Sequence, residues 1–209
     1  TLRNIQSLEH LDISRVNLSV LPTEAFLECT NIKSVILPNT LTAIGTQAFW
    51  GSSLVSISIP ASVEEIRGSA FFGCSSLKTV TFEKGSKLKT VAGFSHCTSL
   101  TTIEIPASVE TIGQYAFNDC TSLHTVTFEK GSKLKTIGSD VFLNCTSLTM
   151  IEIPASVETI EDQAFEGCSL LATVTFEKGS QLKTVDGFSN CTALTTVDMS
   201  ACTQVTRIE

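Results

Sequence analysis

The sequence has few of the residues from which enzymes and nucleic-acid-binding proteins build their sites. Its 209 residues include three histidines, one tryptophan and one tyrosine, so catalysis by an imidazole has few candidates. Charged residues make up 17% of the chain, against about 25% in a typical soluble domain. The net charge is −7. With no basic stripe, and no stacking aromatics expected outside the core, we predict that the chain does not bind nucleic acid.

Other sequence signals are also missing. No apolar run approaches the roughly 20 residues that cross a bilayer, so we predict no membrane insertion in this segment. The eight cysteines include no C-x-x-C pair of the kind that binds zinc. The Gly-Ser-Lys sequence at 85–87 lacks the preceding glycine of a phosphate-binding loop. We therefore expect neither a metal nor a cofactor.

What the sequence does contain is a repeat of 22 to 25 residues that runs along the whole chain. Each copy opens with an L-x-x-[VIL]-x-[FILM] run, continues to a Phe that usually follows Ala, and in most copies reaches a Cys three residues later. Such a period is typical of a solenoid of stacked coils. The Phe series is Phe26, Phe49, Phe71, Phe94, Phe117, Phe142, Phe165 and Phe188. The Cys series is Cys29, Cys74, Cys97, Cys120, Cys145, Cys168 and Cys191.

The order of apolar and polar positions predicts the structure of each coil. The L-x-x-V-x-F run alternates and therefore indicates a short strand. Because every copy enters its strand from the same direction, the strands should form a parallel sheet with neighbours about 4.8 Å apart. The A-F-x-x-C segment suits a short helical or 3₁₀ turn whose Phe fills the layer.

Two kinds of coil alternate. One contains IPASVETI and reaches its Phe in five residues, as at 105–117, and the other contains FEKGSKLKTV and reaches its Phe in three, as at 82–94. Both usually close in 23 residues, so the core is constant while the loops differ. The first outward residue of the second apolar pair alternates in charge from coil to coil, and we predict a Glu–Lys ladder on the flank away from the long strands. Its members are Glu64, Lys89, Glu110, Lys135, Glu158 and Lys183.

The pattern L-x-x-[IV]-x-[IL]-P-x-x-[LV]-x-x-I-x-x-x-A-F-x-x-C occurs at 54–74, 100–120 and 148–168. It resembles the leucine-rich repeats of BspA-like bacterial surface antigens of the treponemal type. The buried Asn of ordinary leucine-rich repeats is absent, and Val16 stands in its place in the first repeat. The resemblance covers nearly the whole chain.

This resemblance implies an α/β repeat solenoid, a right-handed leucine-rich-repeat coil of about nine repeats. A parallel sheet would lie on the concave side, with short strands and helical or 3₁₀ turns opposite. We predict one domain over residues 1–209. Because solenoids need polar caps and neither end of this chain offers a clear one, we also predict that the chain is part of a longer protein.

The repeated cysteines are interpreted as small, buried, reduced side chains. Stacked coils would hold their Cβ directions parallel, which is unfavourable for disulfides. A Cys97–His96 dyad is the sharpest enzymatic alternative, but Cys97 lies at a core position and adjacent residues in a tight turn rarely face each other. We therefore predict no catalytic residues.

The outward positions of the long strands are rich in hydroxyl groups. This composition is explained by strand propensity alone, yet the face as a whole is the best candidate for binding. The resemblance implies an exported, monomeric, non-enzymatic surface module that binds a host or extracellular protein, such as fibronectin, or a glycan. The alternative is a stalk that presents another domain and binds nothing, which the near-identical repeats favour. The candidate binding residues are Thr79, Thr81, Thr102, Glu104, His124, Thr125, Thr127, Met150, Glu152, Thr173 and Thr175.

Overall fold

The computed structural model describes residues 2–208 as a stack of coils, each with one longer strand and one two-residue strand. The longer strands are β1 (His10–Asp12), β3 (Ser34–Ile36), β5 (Ser56–Ile59), β7 (Thr79–Phe82), β9 (Thr102–Ile105), β11 (Thr125–Phe128), β13 (Met150–Ile153), β15 (Thr173–Phe176) and β17 (Thr196–Asp198). The two-residue strands are β2 (Val20–Leu21), β4 (Ala43–Ile44), β6 (Glu65–Ile66), β8 (Thr90–Val91), β10 (Thr111–Ile112), β12 (Thr136–Ile137), β14 (Thr159–Ile160), β16 (Thr184–Val185) and β18 (Arg207–Ile208).

All strand pairs that join successive coils are parallel, as predicted, but the extent of the two sheets is not as predicted. The two-residue strands form one continuous nine-stranded sheet, whereas the longer strands divide into sheets of two, four and three strands. One sheet on the long-strand side with only minor pairing opposite was therefore a wrong expectation. We call the surface made by the outward side chains of the longer strands the long-strand face.

The core is a continuous column of phenylalanine rings. Successive rings from Phe26 to Phe188 have centroids 5.0–5.7 Å apart and interplanar angles of 3–17°. Rings of the six coils from Phe49 to Phe165 are fully buried. Stacked aromatic pairs add about 0.5–1.5 kcal/mol each beyond their burial, so this column accounts for the invariant Phe position of the repeat.

The A-F-x-x-C segments form turns, and residues 2–208 contain no helix. The expectation of helical or 3₁₀ turns was therefore wrong. Two left-handed residues interrupt each such turn, for example Tyr115 with φ 57° and Asp119 with φ 55°. Between them the Phe117 N–H donates to the Val141 carbonyl of the next coil at 2.9 Å. Backbone bonds within the turn are single closures, such as the one from the Cys120 N–H to the Phe117 carbonyl at 3.1 Å, so no helical series of bonds forms. No described helix is long and apolar enough to span a membrane.

The cysteine column lies in the core, as predicted, with free side chains of which six of the seven are buried. Each thiol from Cys74 onward in this column donates to the carbonyl oxygen of the Phe in the preceding coil, as Cys120 does to Phe94 at 3.2 Å. Burial raises the pKa of the Cys74 and Cys120 thiols to about 12. These side chains therefore fill the core as neutral thiols and form hydrogen bonds between neighbouring coils.

Pairing of the longer strands is uneven along the stack: β1 pairs with β3 and β15 with β17 through three residue pairs each, and the strands between them follow the two coil types. Each IPAS coil pairs with the following FEKGS coil through four residue pairs, in β5–β7, β9–β11 and β13–β15. Between these two-coil units, β7 and β9 share one residue pair, and β11 and β13 belong to different sheets. We call each IPAS coil together with the next FEKGS coil a module.

A glutamate holds the two coils of each module together. In the module around β9 and β11, Glu129 Oε2 accepts a hydrogen bond from the Ala107 N–H at 2.9 Å, and the Lys133 N–H donates to the Ala107 carbonyl at 3.0 Å. The same carboxylate bond joins Glu83 to Ala61 at 3.2 Å and Glu177 to Ala155 at 2.9 Å. The two coil types therefore alternate because the glutamate of each FEKGS coil accepts a hydrogen bond from the IPAS turn of the coil before it.

The predicted charge ladder is correct in position and incomplete in contacts. The backbone of its six residues is linked coil by coil, with N–H to carbonyl distances of 2.8–2.9 Å. Ion pairs join Lys89 to Glu64 at 3.9 Å and join Glu158 to both Lys135 and Lys183 at 2.8 and 2.5 Å. Within residues 2–208, Glu110 forms no ion pair, so the ladder is interrupted at its centre.

The first prediction concerns the thiols. In the folded protein, a thiol reagent should label the half-buried Cys191 and Cys202 first, because buried thiols with raised pKa values form little reactive thiolate. After denaturation without reductant, all eight cysteines should react. Mass spectrometry of the labelled protein measures both states, and two or more disulfides in the denatured sample would contradict the assignment.

The second prediction concerns acid stability. Hydrogen bonds and charge attraction from Lys135 and Lys183 lower the pKa of Glu158 from 4.5 to about 2. Since the folded-state pKa is the lower one, this carboxylate stabilises the fold fully above about pH 4.5 and ceases to do so as the pH falls to about 2. The melting-temperature difference between the parent and Glu158→Gln should therefore shrink between pH 4.5 and 2.

A matched control for this experiment is Glu110→Gln, at an equivalent rung that has no ion pair within the described chain. Its difference from the parent should change less over the same pH interval. Equal behaviour of the two variants would show that the Glu158 ion pairs do not contribute to stability.

The third prediction concerns the modules. Glu129→Ala removes the carboxylate that accepts the Ala107 N–H and should lower the free energy of unfolding by about 0.5–1.5 kcal/mol. Glu104→Ala is the control, because this exposed carboxylate accepts no hydrogen bond within residues 2–208. Urea denaturation compares the two, and equal losses would mean that the glutamate bond does not hold the module together.

Candidate functional site

Most of the candidate binding residues lie together on the long-strand face. Their neighbours across strands are in register: Thr102 pairs with Thr125 and Glu104 with Thr127, while Met150 pairs with Thr173 and Glu152 with Thr175. Met150 is 56% exposed. The face is therefore a set of outward columns, as the alternation of the strands predicts. Thr173 and Thr175 are only partly exposed.

His124 stands apart from these columns. It precedes β11, and its backbone N–H donates to the Thr101 carbonyl at 3.0 Å. Its ring Nδ1 lies 3.3 Å from the Ser122 carbonyl oxygen. The side chain is exposed at the edge of the face and adds an imidazole beside the threonine columns.

The face is not flat, because it opens where one module meets the next. A cleft of about 260 Å³ lies between β7 and β9, and one of about 150 Å³ lies between β11 and β13. The first is lined by Thr79, Val80, Thr81, Phe82, Thr102, Glu104, Pro106 and Glu129. The second is lined by Val126, Thr127, Phe128, Glu152, Pro154 and Glu177.

These two boundary clefts share the same chemistry. Each combines a half-buried phenylalanine, a proline, at least one threonine hydroxyl and two glutamates, one from the strand across the boundary and one that caps the adjacent turn. Neither lining contains a lysine or arginine. The boundary clefts are therefore acidic and partly aromatic. The sequence signal for them was the FEKGS–IPAS alternation, whose effect on strand pairing was not predicted.

Cys97 and His96 are not brought together as a catalytic pair. Cys97 is fully buried and donates to the Phe71 carbonyl at 3.3 Å, and burial raises its pKa well above the usual value. His96 lies on the outside, where its Nε2 is 3.6 Å from Asp119 Oδ2. A neutral, buried thiol that faces a backbone carbonyl lacks the exposure that a nucleophile needs.

Aromatic side chains also stack outside the core, contrary to the expectation from the sequence. The Trp50 and Phe72 rings are partly exposed, with centroids 4.0 Å apart. Phe72 in turn contacts the His96 ring at 4.8 Å. Trp50 and Phe72 directly follow a core Phe, and His96 lies two positions after one. The other coils carry mostly small or polar side chains at these two positions. That departure from the repeat was the available signal.

The repeat pattern and its geometry agree with a known family. The chain matches the description "BspA type Leucine rich repeat region (6 copies)" over residues 1–93 and 90–209. It therefore belongs to the BspA-type leucine-rich-repeat family, and the resemblance found in the sequence is confirmed. No curated protein sequence matches the chain.

Solved bacterial structures share the fold. A leucine-rich-repeat protein from Bacteroides ovatus gives a TM-score of 0.73 at 25% identity, over 98% of this chain and 63% of its own. A leucine-rich cell surface protein from Faecalibacterium prausnitzii gives a TM-score of 0.56 at 27% identity, and the match covers 96% of this chain and 63% of that protein's chain. The Treponema pallidum protein TpLRR supports the fold alone. It is 24% identical with a TM-score of 0.59, and the match covers 90% of this chain and 78% of that protein's chain. This chain thus spans less than two thirds of the length of the Bacteroides ovatus and Faecalibacterium prausnitzii proteins.

Proposed function

We propose that this chain is a non-enzymatic interaction module of an exported surface protein and that it binds an extracellular protein through the long-strand face. The observation that carries this proposal is the pair of chemically matched boundary clefts. The Faecalibacterium prausnitzii relative is described as a cell surface protein, which supports the location.

The boundary clefts favour a partner with basic side chains. A lysine or arginine entering the first cleft would find the carboxylates of Glu104 and Glu129 and the ring of Phe82. Opposite charge and an aromatic face both attract a cation. The net charge of −7 adds a long-range attraction for a basic partner.

The spacing of the boundary clefts specifies the partner further. They are separated by two coil spacings of at least about 4.8 Å each, the distance between paired strands, which places equivalent points at least about 10 Å apart. A polyproline-like segment repeats every three residues with a rise of about 3.1 Å per residue. Basic residues three positions apart on such a segment would therefore reach both clefts at once.

A stalk that presents another domain is the second candidate function. The observation in its favour is the near identity of the repeats, including the threonine columns of β7 and β11, which both read TVTF. A binding face usually differs from coil to coil, whereas a spacer needs only stable stacking. In a stalk, substitutions on the long-strand face would have no effect on adhesion.

The fourth prediction tests the long-strand face. Thr125→Arg places bulk and positive charge between the two boundary clefts and should abolish binding to a fibronectin-coated surface while leaving the melting temperature unchanged. The reason is that the exposed Thr125 side chain would be replaced by one that occludes the face and repels a basic partner. Surface plasmon resonance measures the binding.

The matched control is Thr136→Arg, which adds the same charge to the two-residue strand of the same coil and should leave binding intact. Reversal of both cleft charges, in Glu104→Lys with Glu152→Lys, should abolish binding as Thr125→Arg does. Loss of binding only after changes at Lys84, Lys130 or Lys178 would place the site on the FEKGS loops instead. No effect from any face variant, or no binding by the parent, would favour the stalk.

A further inference from the structure

The flank made by the A-F-x-x-C turns carries a cluster of aromatic side chains that the core does not need. It contains the chain's one tryptophan and its one tyrosine, Trp50 and Tyr115, together with Phe72 and His96. The rings of Trp50 and Phe72 stack with an interplanar angle of 19°, and His96 is tilted by 59° against Phe72. Tyr115 is 47% exposed. We call this group the flank cluster.

Beside the flank cluster lies a cleft of about 360 Å³, within the range of roughly 300–1,000 Å³ typical of small-ligand sites. We call it the flank cleft. It faces the turns and not the long-strand face, so it is separate from the boundary clefts. Its lining consists of Gly68, Ser69, Phe72, Gly93, Ser95, His96, Gln114, Tyr115 and Asn118.

The flank cleft arises from unequal loop lengths. The coil containing Gly93 reaches its Phe in three residues, whereas the coils on either side take five, so a gap opens between Ser69 and Tyr115. Gly93 has φ +92°, and an added Cβ would lie 2.6 Å from the Ala70 backbone nitrogen. Only glycine allows this close approach, which forms the floor of the gap.

Tyr115 occupies a backbone conformation that is unusual for an aromatic residue. Its φ is 57°, in the left-handed region that bulky residues seldom adopt. Other coils place polar residues there with φ of 54–58°, namely Glu24, Gln47, Ser69, Asp140 and Gln163. The fold therefore sets this conformation, and within residues 2–208 Tyr115 is the aromatic exception at this position.

Fixed polar groups lie opposite the rings. Ser95 and Asn118 are buried, and the Ser95 hydroxyl donates to Asn118 Oδ1 at 3.1 Å. Asn118 Nδ2 donates to the Leu143 carbonyl at 3.4 Å, and Gln114 Nε2 donates to Asp140 Oδ2 at 3.3 Å. These bonds orient the two amides, and Gln114 Oε1 has no hydrogen-bond partner within residues 2–208. The flank cleft therefore offers preoriented groups to a polar ligand.

We propose that the flank cleft binds the ring of a neutral saccharide. A pyranose has an apolar face of C–H groups, which suits the exposed rings of Tyr115 and Phe72, and a rim of hydroxyls, which suits amide, hydroxyl and imidazole partners. Aromatic walls with a few convergent polar groups are typical of small-ligand sites. The combination matches both surfaces of a sugar ring.

Two other ligand classes fit less well. None of the nine lining residues is a lysine, arginine, aspartate or glutamate, and the adjacent carboxylates Asp119 and Asp140 are paired with His96 and Gln114, so the flank cleft favours a neutral ligand over a phosphate, a carboxylate or an ammonium group. An apolar side chain of a protein would remove water from Gln114 and Asn118 without replacing its hydrogen bonds, which costs free energy. A neutral ligand with hydroxyls avoids both costs.

The chain contains its own comparison site. The coil with Gly187, φ +90°, also reaches its Phe in three residues after a five-residue neighbour. A cleft near this coil contains no aromatic residue, and its lining consists of Ser139, Thr159, Ile160, Glu161, Asp162, Thr184, Asp186 and Arg207. Gln163 shares with Tyr115 the repeat position two residues before the core Phe and a left-handed backbone, with φ 55°, but carries no ring.

Saturation-transfer NMR with methyl pyranosides of glucose, galactose, mannose and N-acetylglucosamine tests the proposal. We expect saturation transfer to the ring C–H protons of at least one of these probes. Tyr115→Ala should raise its Kd about two- to tenfold, the range expected for one aromatic contact. Tyr115→Phe should retain most of the affinity, because it keeps the ring.

Gln163→Ala is the matched control and should leave saccharide binding unchanged, since it alters the same left-handed repeat position in a coil that does not line the flank cleft. Thr125→Arg should also leave it unchanged, so failure here is distinguishable from failure of the long-strand-face proposal. Absence of saturation transfer from every probe would overturn the proposal. Tighter binding of toluene than of any sugar would overturn it too, because it would identify an apolar anchor site.

Discussion

The constraint on which this structure depends is that the repeated peptide hydrogen bonds run from coil to coil, whereas those within a coil are isolated turns, such as the bond from the Cys120 N–H to the Phe117 carbonyl at 3.1 Å. The Phe94 N–H donates to the Ala116 carbonyl of the next coil at 2.8 Å, and Phe142 does the same to Ala164. Because unpaired buried peptide groups are costly, each coil has to repeat the path of its neighbour wherever these bonds form. The phenylalanine column and the thiol bonds then fill a cross-section whose shape is already determined.

The same constraint explains where variation is allowed and why it produces sites. Loops that do not bond to the next coil are free to differ in length, as the three- and five-residue steps to Phe show. Alternating lengths leave gaps, and the strands from β5 to β13 on the long-strand face pair through four residues only inside a module, although β15 also pairs with β17. The boundary clefts and the flank cleft therefore arise where coils with the same core differ in loop length or strand pairing. An interaction module can acquire binding sites in this way without any change to its core.

The sequence predicted those features that every coil repeats. The strand positions, the buried Phe and Cys columns and the family follow from periodicity, since each position faces the same environment in every coil. Features that depend on the difference between neighbouring coils were missed. Glu83, Glu129 and Glu177 recur after alternate strands, but their bond to the preceding turn is visible only in three dimensions. The flank cluster was missed because Trp50 and Tyr115 lie 65 positions apart.

Amide hydrogen exchange, followed strand by strand in the native protein, tests the modular arrangement most directly. Exchange rates report local opening free energies. If strands pair within modules and separate between them, amides of β11 and β15 should exchange slowly, whereas those of β13, which begins a module and belongs to a different sheet from β11, should exchange fast. Equal protection of β11, β13 and β15 would contradict the account, because it would mean that the long-strand face is one continuous sheet without boundary clefts.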